Sequence, residues 1–364
     1  MNKVLFFVGD VDNPSSGPFQ ASINIVKSLE DKGICARVIG NCDSKLFSVN
    51  VSSNIIGLPR FGPSFLQFSL FGVYRLFKEV RSSSIVFVEG VWFLSLVWFL
   101  IFSFIFTNKK FVLSLHGNFN PYALGVSSSR KYIFSKLFFP ILLRRFILRL
   151  LTEKEKDYAQ EYLKSLGLSI RRYTVISNPV IFDDFLNCDD TGSKYFLYLG
   201  RLDPIKNIEL LLSLWCNRSV LSEYQLLIAG SGLPSYVDHL RRTCTCDGVV
   251  FVGFADPTMK SKLFCEATGA FLLSYSEGLP VAVLESLSFG CPVIISHEVY
   301  SDSLHGLTGI FKLSPNSCQT EFDSFLVECL SFNQDPKERI DLISRFSISS
   351  LSERFINLSV KVYE

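Results

Sequence analysis

The stretch from Ala270 to Ser296 constrains this chain more than any other. Ala270 to Ser274 is a short apolar run of the kind buried on both faces of a parallel sheet. Ser276 to Leu279 reads as a loop, and Pro280 suits the first helical position, where its missing amide is no loss. Gly290 stops the helix at a point that calls for a left-handed residue. Pro292 to Ile295 is a second buried strand. Strand, loop, helix and strand in this order are the repeating unit of a parallel sheet covered by helices. The amides that open the helix point out of the strand's carboxyl end, which suits an anion such as a diphosphate. Glu277 in the loop and Glu285 in the helix frame that position, and either carboxylate can accept the hydrogen bonds of a sugar diol. Two glutamates at this separation also arise by chance. The helix dipole alone favours an acid near a helix start. The spacing is therefore not diagnostic by itself.

The chain is 364 residues long, enough for two domains. Its hydrophobic content of 48% and mean hydropathy of +0.30 allow a large core with apolar surface left over. A net charge of +2 argues against general nucleic-acid binding. Ten cysteines are scattered without a C-x-x-C pair, which implies a reduced, cytosolic chain. Cys244 and Cys246 are too close for a usual zinc knuckle and read as loop cysteines. The opening residues read as a first strand, with no cleavable leader.

Lys3 to Val8 is that strand. A loop from Gly9 to Phe19 follows, then a helix from Gln20 to Lys32 ended by Gly33, then a strand at Ala36 to Ile39. This βαβ start lacks the G-x-G-x-x-G dinucleotide fingerprint. Gly17 by itself reads as a turn residue in this loop. Ile85 to Val88 and Phe111 to Leu115 are further strands. Between them, Val91 to Phe106 has only Ser95 and Ser103 as polar residues. As a helix it would span about 24 Å, short of the roughly 30 Å of a bilayer core. It is read as a crossover helix apolar all round, with one face on the sheet and the other on the core, a partner chain or a membrane surface. His116 follows the Phe111 strand at its carboxyl end, where open α/β sheets bind ligands. Lys131 to Arg149 reads as a basic amphipathic helix whose Lys136, Arg144, Arg145 and Arg149 interleave with aromatic and aliphatic residues. That composition suits an anionic membrane. Pro140 should kink or divide it. Arg149 to Thr152 also reads as the start of a strand, with Thr152 capping a helix from Glu153 to Lys164.

The second half opens with a strand at Tyr195 to Leu199, then Gly200-Arg201 and Lys206 in a short loop before a helix. Arg201 offers phosphate oxygens a planar fork and Lys206 a point charge. A solvated Arg and Lys is the plain alternative. Strands at Tyr224 to Ala229 and Val249 to Val252 continue the rhythm through Gly230 and Gly232. Ser344 to Tyr363 is a tail helix.

The string around Glu277 and Glu285 resembles the E-x7-E motif of the retaining glycosyltransferases of family 4. The Gly200 to Lys206 loop, the strand–Ala–Gly–x–Gly segment and the strand–His–Gly at His116 are similar to that family as well. The resemblance implies the GT-B architecture: two Rossmann-like α/β domains facing across a cleft. Their expected bounds are 1–178, completed by a tail helix 348–364, and 179–347. It implies a retaining, metal-independent hexosyl- or related transfer from a UDP- or GDP-linked sugar, without cofactor and with no metal ligands. Arg201 and Lys206 would hold the diphosphate, and Glu285 the ribose. Glu277 would orient the transferred sugar with the Gly278 and Leu279 amides, and His116 would contact it. Gly17 and Gly200 would face the donor. Together with the apolar and basic helices, the resemblance points to a lipid-linked saccharide acceptor, as in surface polysaccharide (O-antigen or capsule) biosynthesis. The protein would then be cytoplasmic and peripheral on the inner face of an anionic membrane. A sugar-nucleotide epimerase of the same fold, or a catalytically dead membrane-associated sugar-nucleotide-binding protein, is the alternative. No motif names the donor sugar, its base, the acceptor, the linkage or the oligomeric state.

Overall fold

A computed structural model describes residues 3–12, 16–42, 54–59, 72–182, 193–244, 246–314 and 318–360. The chain divides into two compact units, Met1–Ile181 with Phe346–Glu364, and Phe182–Arg345.

The first unit is built on seven parallel strands: β1 (Val4–Asp10), β2 (Ala36–Cys42), β3 (Ile55–Pro59), β4 (Ile85–Glu89), β5 (Lys110–Ser114), β6 (Phe146–Leu150) and β7 (Tyr173–Val175). They lie in the order β3-β2-β1-β4-β5-β6-β7. Alternate side chains of β1 enter opposite layers. Val4, Phe6 and Val8 pack into one core, and Leu5 and Phe7 into the other. This is why its sequence is apolar throughout rather than alternating. Helix α1 (Gly17–Asp31) and the C-terminal helix (Ile348–Val360) cover the first of these faces. Phe355 of that C-terminal helix packs 5.4 Å from Phe87, which stacks on Phe6 at 4.7 Å. Helices α2 (Val73–Ser82), α3 (Leu96–Ile105), the short α4 (Pro121–Gly125), α5 (Ser128–Arg145) and α6 (Glu153–Ser165) complete the unit.

Three expectations are corrected here. The helix placed at Val91 to Phe106 is only α3. Val91 to Ser95 form turns, closed by the Phe93 amide on the Val91 carbonyl and the Leu96 amide on that of Phe93. The proposed basic helix to Arg149 ends at Arg145. Phe146 starts β6, and its apolar, β-favouring residues pair with Phe111 to Ser114 of β5. Pro140 lies inside α5 without dividing it. Thr152 does cap α6, its hydroxyl accepting from the Glu155 amide at 3.1 Å. No helix among the described residues is long and apolar enough to cross a membrane.

The second unit has six parallel strands, β8 (Tyr195–Leu199), β9 (Gln225–Ala229), β10 (Val249–Gly253), β11 (Gly269–Leu272), β12 (Val293–Ser296) and β13 (Ile310–Leu313), in the order β10-β9-β8-β11-β12-β13. Its helices are α7 (Ile208–Cys216), α8 (Pro234–Thr243), α9 (Pro257–Glu266), α10 (Val281–Ser288), α11 (Gln319–Ser331) and α12 (Pro336–Phe346); the C-terminal helix of the first unit is α13. Pro280 precedes α10 as its N-cap rather than opening it. The cysteines are not all reduced: Cys216 and Cys246 form a disulfide with Cα atoms 5.3 Å apart.

Candidate active site

In both sheets the chain first adds strands on one side of the opening strand and then crosses to the other. The direction reverses between β8 and β11 in the second unit, and between β1 and β4 in the first. Loops after such strands diverge and leave a crevice at their carboxyl ends, where open sheets of this kind bind ligands.

The second unit gathers its charged residues there. After β8, Gly200 and Arg201 lead into a tight turn in which Asp203 accepts from the Ile205 amide at 3.2 Å. Two glycines make room for the turn. A Cβ on Gly230 would sit 1.8 Å from the Gly200 carbonyl oxygen, and one on Gly232 2.0 Å from that of Leu202. The buried Tyr198 hydroxyl donates to the Arg201 carbonyl at 2.9 Å. The Arg201 side chain itself is 64% exposed, with Asp203 3.6 Å away. Lys206 closes the turn, and left-handed Asn207 starts α7.

The loop after β11 meets this turn directly. The Tyr275 amide donates to the Ile205 carbonyl at 2.9 Å. Lys206 Nζ reaches Glu277 Oε1 at 2.6 Å across the point of reversal, and the fully buried Ser274 hydroxyl donates to the same oxygen at 2.6 Å. Glu285, on α10, pairs with Lys260 of α9 at 2.8 Å. Each carboxylate is thus matched by a lysine in a half-buried setting. Gly278 is half-buried and Leu279 buried. The turn at the start of α10 is tighter than an open anion site, since the Val281 amide bonds to Leu279 and the Val283 amide to Pro280. Arg201, Lys206 and Glu277 after the central strands β8 and β11, with the Lys260–Glu285 pair on α9 and α10, can hold a diphosphate and a polyhydroxylated group.

The first unit places a second polar group below His116. This residue takes a left-handed conformation (φ 49°) at the end of β5, and its side chain is 6% exposed. Its Nε2 lies 2.5 Å from Glu89 Oε2, with the carboxylate as acceptor. Glu89 also accepts from Ser114 at 3.0 Å and from Arg149 at 3.1 Å. Arg149, counted among the membrane-facing cations in the sequence, is fully buried in β6. It also donates to Asn178 Oδ1 at 2.7 Å and lies over the Phe355 ring at 4.7 Å. Burial pushes the Glu89 carboxyl up, but the Arg149 charge and the His116 and Ser114 hydrogen bonds outweigh it. The carboxyl is held below its usual range. Glu155 carries the Gly117 amide on one oxygen and the Leu151 amide, at 2.6 Å, on the other. Burial raises its pKa against those bonds. Gly17 is the first residue of α1, following β1, and has open space where a side chain would start.

Sequence reasoning passed over Lys260, Ser274, Glu89 and Glu155. Their partners lie up to 60 residues away along the chain. Two carry a local signal: Ser274-x-x-Glu277, whose hydroxyl bonds the carboxylate three residues on, and Thr152-x-x-Glu155, a capping-box pattern whose carboxylate is diverted to the His116 turn.

Residues 186–302 match the model of the glycosyl transferases group 1 family. An uncharacterized glycosyltransferase of Haemophilus influenzae is 26% identical over 306 residues, covering 81% of this chain and 80% of that protein. Among solved structures, Anabaena Alr3699/HepE in complex with UDP and glucose superposes with a TM-score of 0.71 at 16% identity, over 98% of this chain and 99% of that one. The lipopolysaccharide outer core galactosyltransferase WaaB superposes with a TM-score of 0.66 at 19% identity, over 98% of both chains. The fold is GT-B.

Proposed function

We propose that this chain is a glycosyltransferase of the group 1 type that moves a hexosyl or related group from a UDP- or GDP-linked sugar, with retention and without a metal, to a lipid-linked saccharide. The observation that carries the reading is the pairing of Lys206 with Glu277 beside exposed Arg201 at the strand reversal of the second unit. A diphosphate entering there meets Arg201 and draws Lys206 from Glu277. The freed carboxylate then accepts hydroxyls of the transferred sugar. As the glycosidic bond breaks, charge grows on the leaving diphosphate, and both cations stabilise it electrostatically. Glu285, held by Lys260, accepts the ribose hydroxyls. Anabaena Alr3699/HepE binds UDP and glucose, which supports the donor class.

The proposed acceptor and membrane role rest on the first unit. Ile101, Phe104 and Ile105 of α3 and Ile133, Leu137 and Ile141 of α5 are all exposed. On α5 they repeat every four residues, a single stripe. The two helices touch, with the Arg145 guanidinium 5.2 Å over the Phe104 ring. Exposed Arg130, Lys136 and Arg144 share α5 with the stripe. Such a surface fits the inner face of an anionic membrane, where lipid-linked saccharides for surface polysaccharides are built. WaaB, a lipopolysaccharide galactosyltransferase, shares the fold. The test is transfer from labelled UDP- and GDP-sugars to polyprenyl-linked saccharides in vesicles, with the anomeric configuration of the product read by NMR. A retained configuration is expected, and an inverted one refutes the mechanism. Epimerisation of the donor without an acceptor refutes the transfer.

A further inference from the structure

Three cysteines that take no part in the Lys206–Glu277 site come together in the second unit. Cys216 ends α7, Cys244 is the C-cap of α8, and Cys246 follows two residues on. The helices that bring them together pack on one core through Leu211, Leu212, Trp215 and Leu240. The three Sγ atoms lie within 4.8 Å of one another, and all three residues are half-buried. The disulfide between Cys216 and Cys246 uses only two of them. The Cys244 thiol faces the Cys246 carbonyl oxygen at 3.6 Å.

Four-coordinate zinc holds thiolates at about 2.3 Å, which places them roughly 3.8 Å apart around the ion. The cluster is on that scale. Both helices present their carboxyl ends to it, and the negative end of a helix dipole favours a cation. A disulfide needs no third sulfur, and a thiolate metal site does.

We infer that Cys216, Cys244 and Cys246 form one site with two states, independent of the sugar-transfer reading. In the reduced state the three thiols give up their protons and bind a soft divalent cation of the zinc class, with water in the fourth position. In the oxidised state a small-molecule disulfide removes it. One thiolate of the Cys216 and Cys246 pair attacks a sulfur of the oxidant, forming a mixed disulfide and expelling one thiolate. The other then attacks the protein sulfur of that mixed disulfide and expels the second. The Cys216–Cys246 bond forms, the oxidant is reduced by two electrons to two thiols, and the cation leaves with one ligand remaining. Either state clamps the end of α7 to the end of α8.

The test uses the full chain, reduced and desalted without oxygen, then titrated with cobalt(II) and followed by thiolate-to-metal charge-transfer absorption. One cobalt per chain, displaced by zinc and released by oxidised glutathione, is expected. Cys244→Ser should weaken binding at least about tenfold, the low end of what even an outer-shell change costs a metal site. It should still form the Cys216–Cys246 disulfide on peptide mapping. Cys318→Ser, which alters an exposed thiol elsewhere, should change nothing. Without any substitution, zinc should protect Cys216, Cys244 and Cys246 of the reduced chain from alkylation. Sub-stoichiometric cobalt binding, equal binding by Cys244→Ser, or alkylation indifferent to zinc each overturns the inference.

Discussion

Arg149 and Glu89 show how one residue's surroundings reverse its meaning. Read along the chain, Arg149 extends a run of basic residues. In the fold it is a buried strand residue whose charge is met by Glu89, Asn178 and two main-chain carbonyls. Removing one partner of a buried pair strands the other charge. Arg149→Gln and Glu89→Gln are therefore each expected to lower unfolding free energy by about 3–5 kcal/mol at neutral pH, read by urea denaturation. The sign with pH follows from Glu89, whose pKa is lowered in the fold. Its stabilisation is complete above the unfolded value, about 4.3, and is lost as pH falls through the folded one. The gap between wild type and Glu89→Gln should close only below about pH 4. A gap that closes between pH 7 and 5 would contradict the assignment. In the second unit, Arg201→Ala and Lys206→Ala should each slow turnover by roughly one to three powers of ten. Glu285→Gln should weaken nucleotide binding by about 1.5–3 kcal/mol. Equal calorimetric affinities for wild type and Glu285→Gln would remove the ribose role.

At the scale of elements, the order of strands and helices around Glu277 was legible because each piece is marked locally. Apolar runs mark β11 and β12, and Gly290 (φ 78°) marks the end of α10. What was not legible depends on distant neighbours. The apolar run after Val91 gives no sign of where turns yield to α3, and β6 follows α5 without a glycine or proline between them. Its strand character comes from pairing with β5 and β7. The lysine partners of Glu277 and Glu285 are likewise fixed by sheet order, not by spacing. Two expectations belong here. Gly232→Ala drives a Cβ into the Leu202 backbone, which has no rotamer to yield, so stability should fall by about 1–3 kcal/mol. An unchanged melting temperature would show that the loop after β8 moves freely. Replacing Arg130, Lys136 and Arg144 of α5 with Gln should weaken binding to anionic vesicles by up to about 3 kcal/mol, at about 1 kcal/mol per charge. Salt should mimic this only in part, because the exposed apolar stripe is not screened. A protein that stays in the supernatant at low salt would leave the stripe to a partner chain.

For the whole molecule, the two sheets share one logic. Each reverses direction beside its first strand; the second sets a polar cluster at that reversal, and the first sets one next to it, across β4, β5 and β6. In the first unit the cluster is buried and already paired, which suits a supporting role beneath His116. In the second it includes an exposed arginine and two half-buried lysine–carboxylate pairs, which suits a ligand that exchanges partners with them. The measurement that tests this most directly is titration calorimetry of UDP and of GDP against the wild type and an Arg201→Ala/Lys206→Ala variant of unchanged fold. One nucleoside diphosphate should bind the wild type, and the double variant should lose at least about a hundredfold in affinity, as expected for two charge-assisted contacts. Equal binding by both proteins, or no binding of either nucleotide to the wild type, would contradict the account.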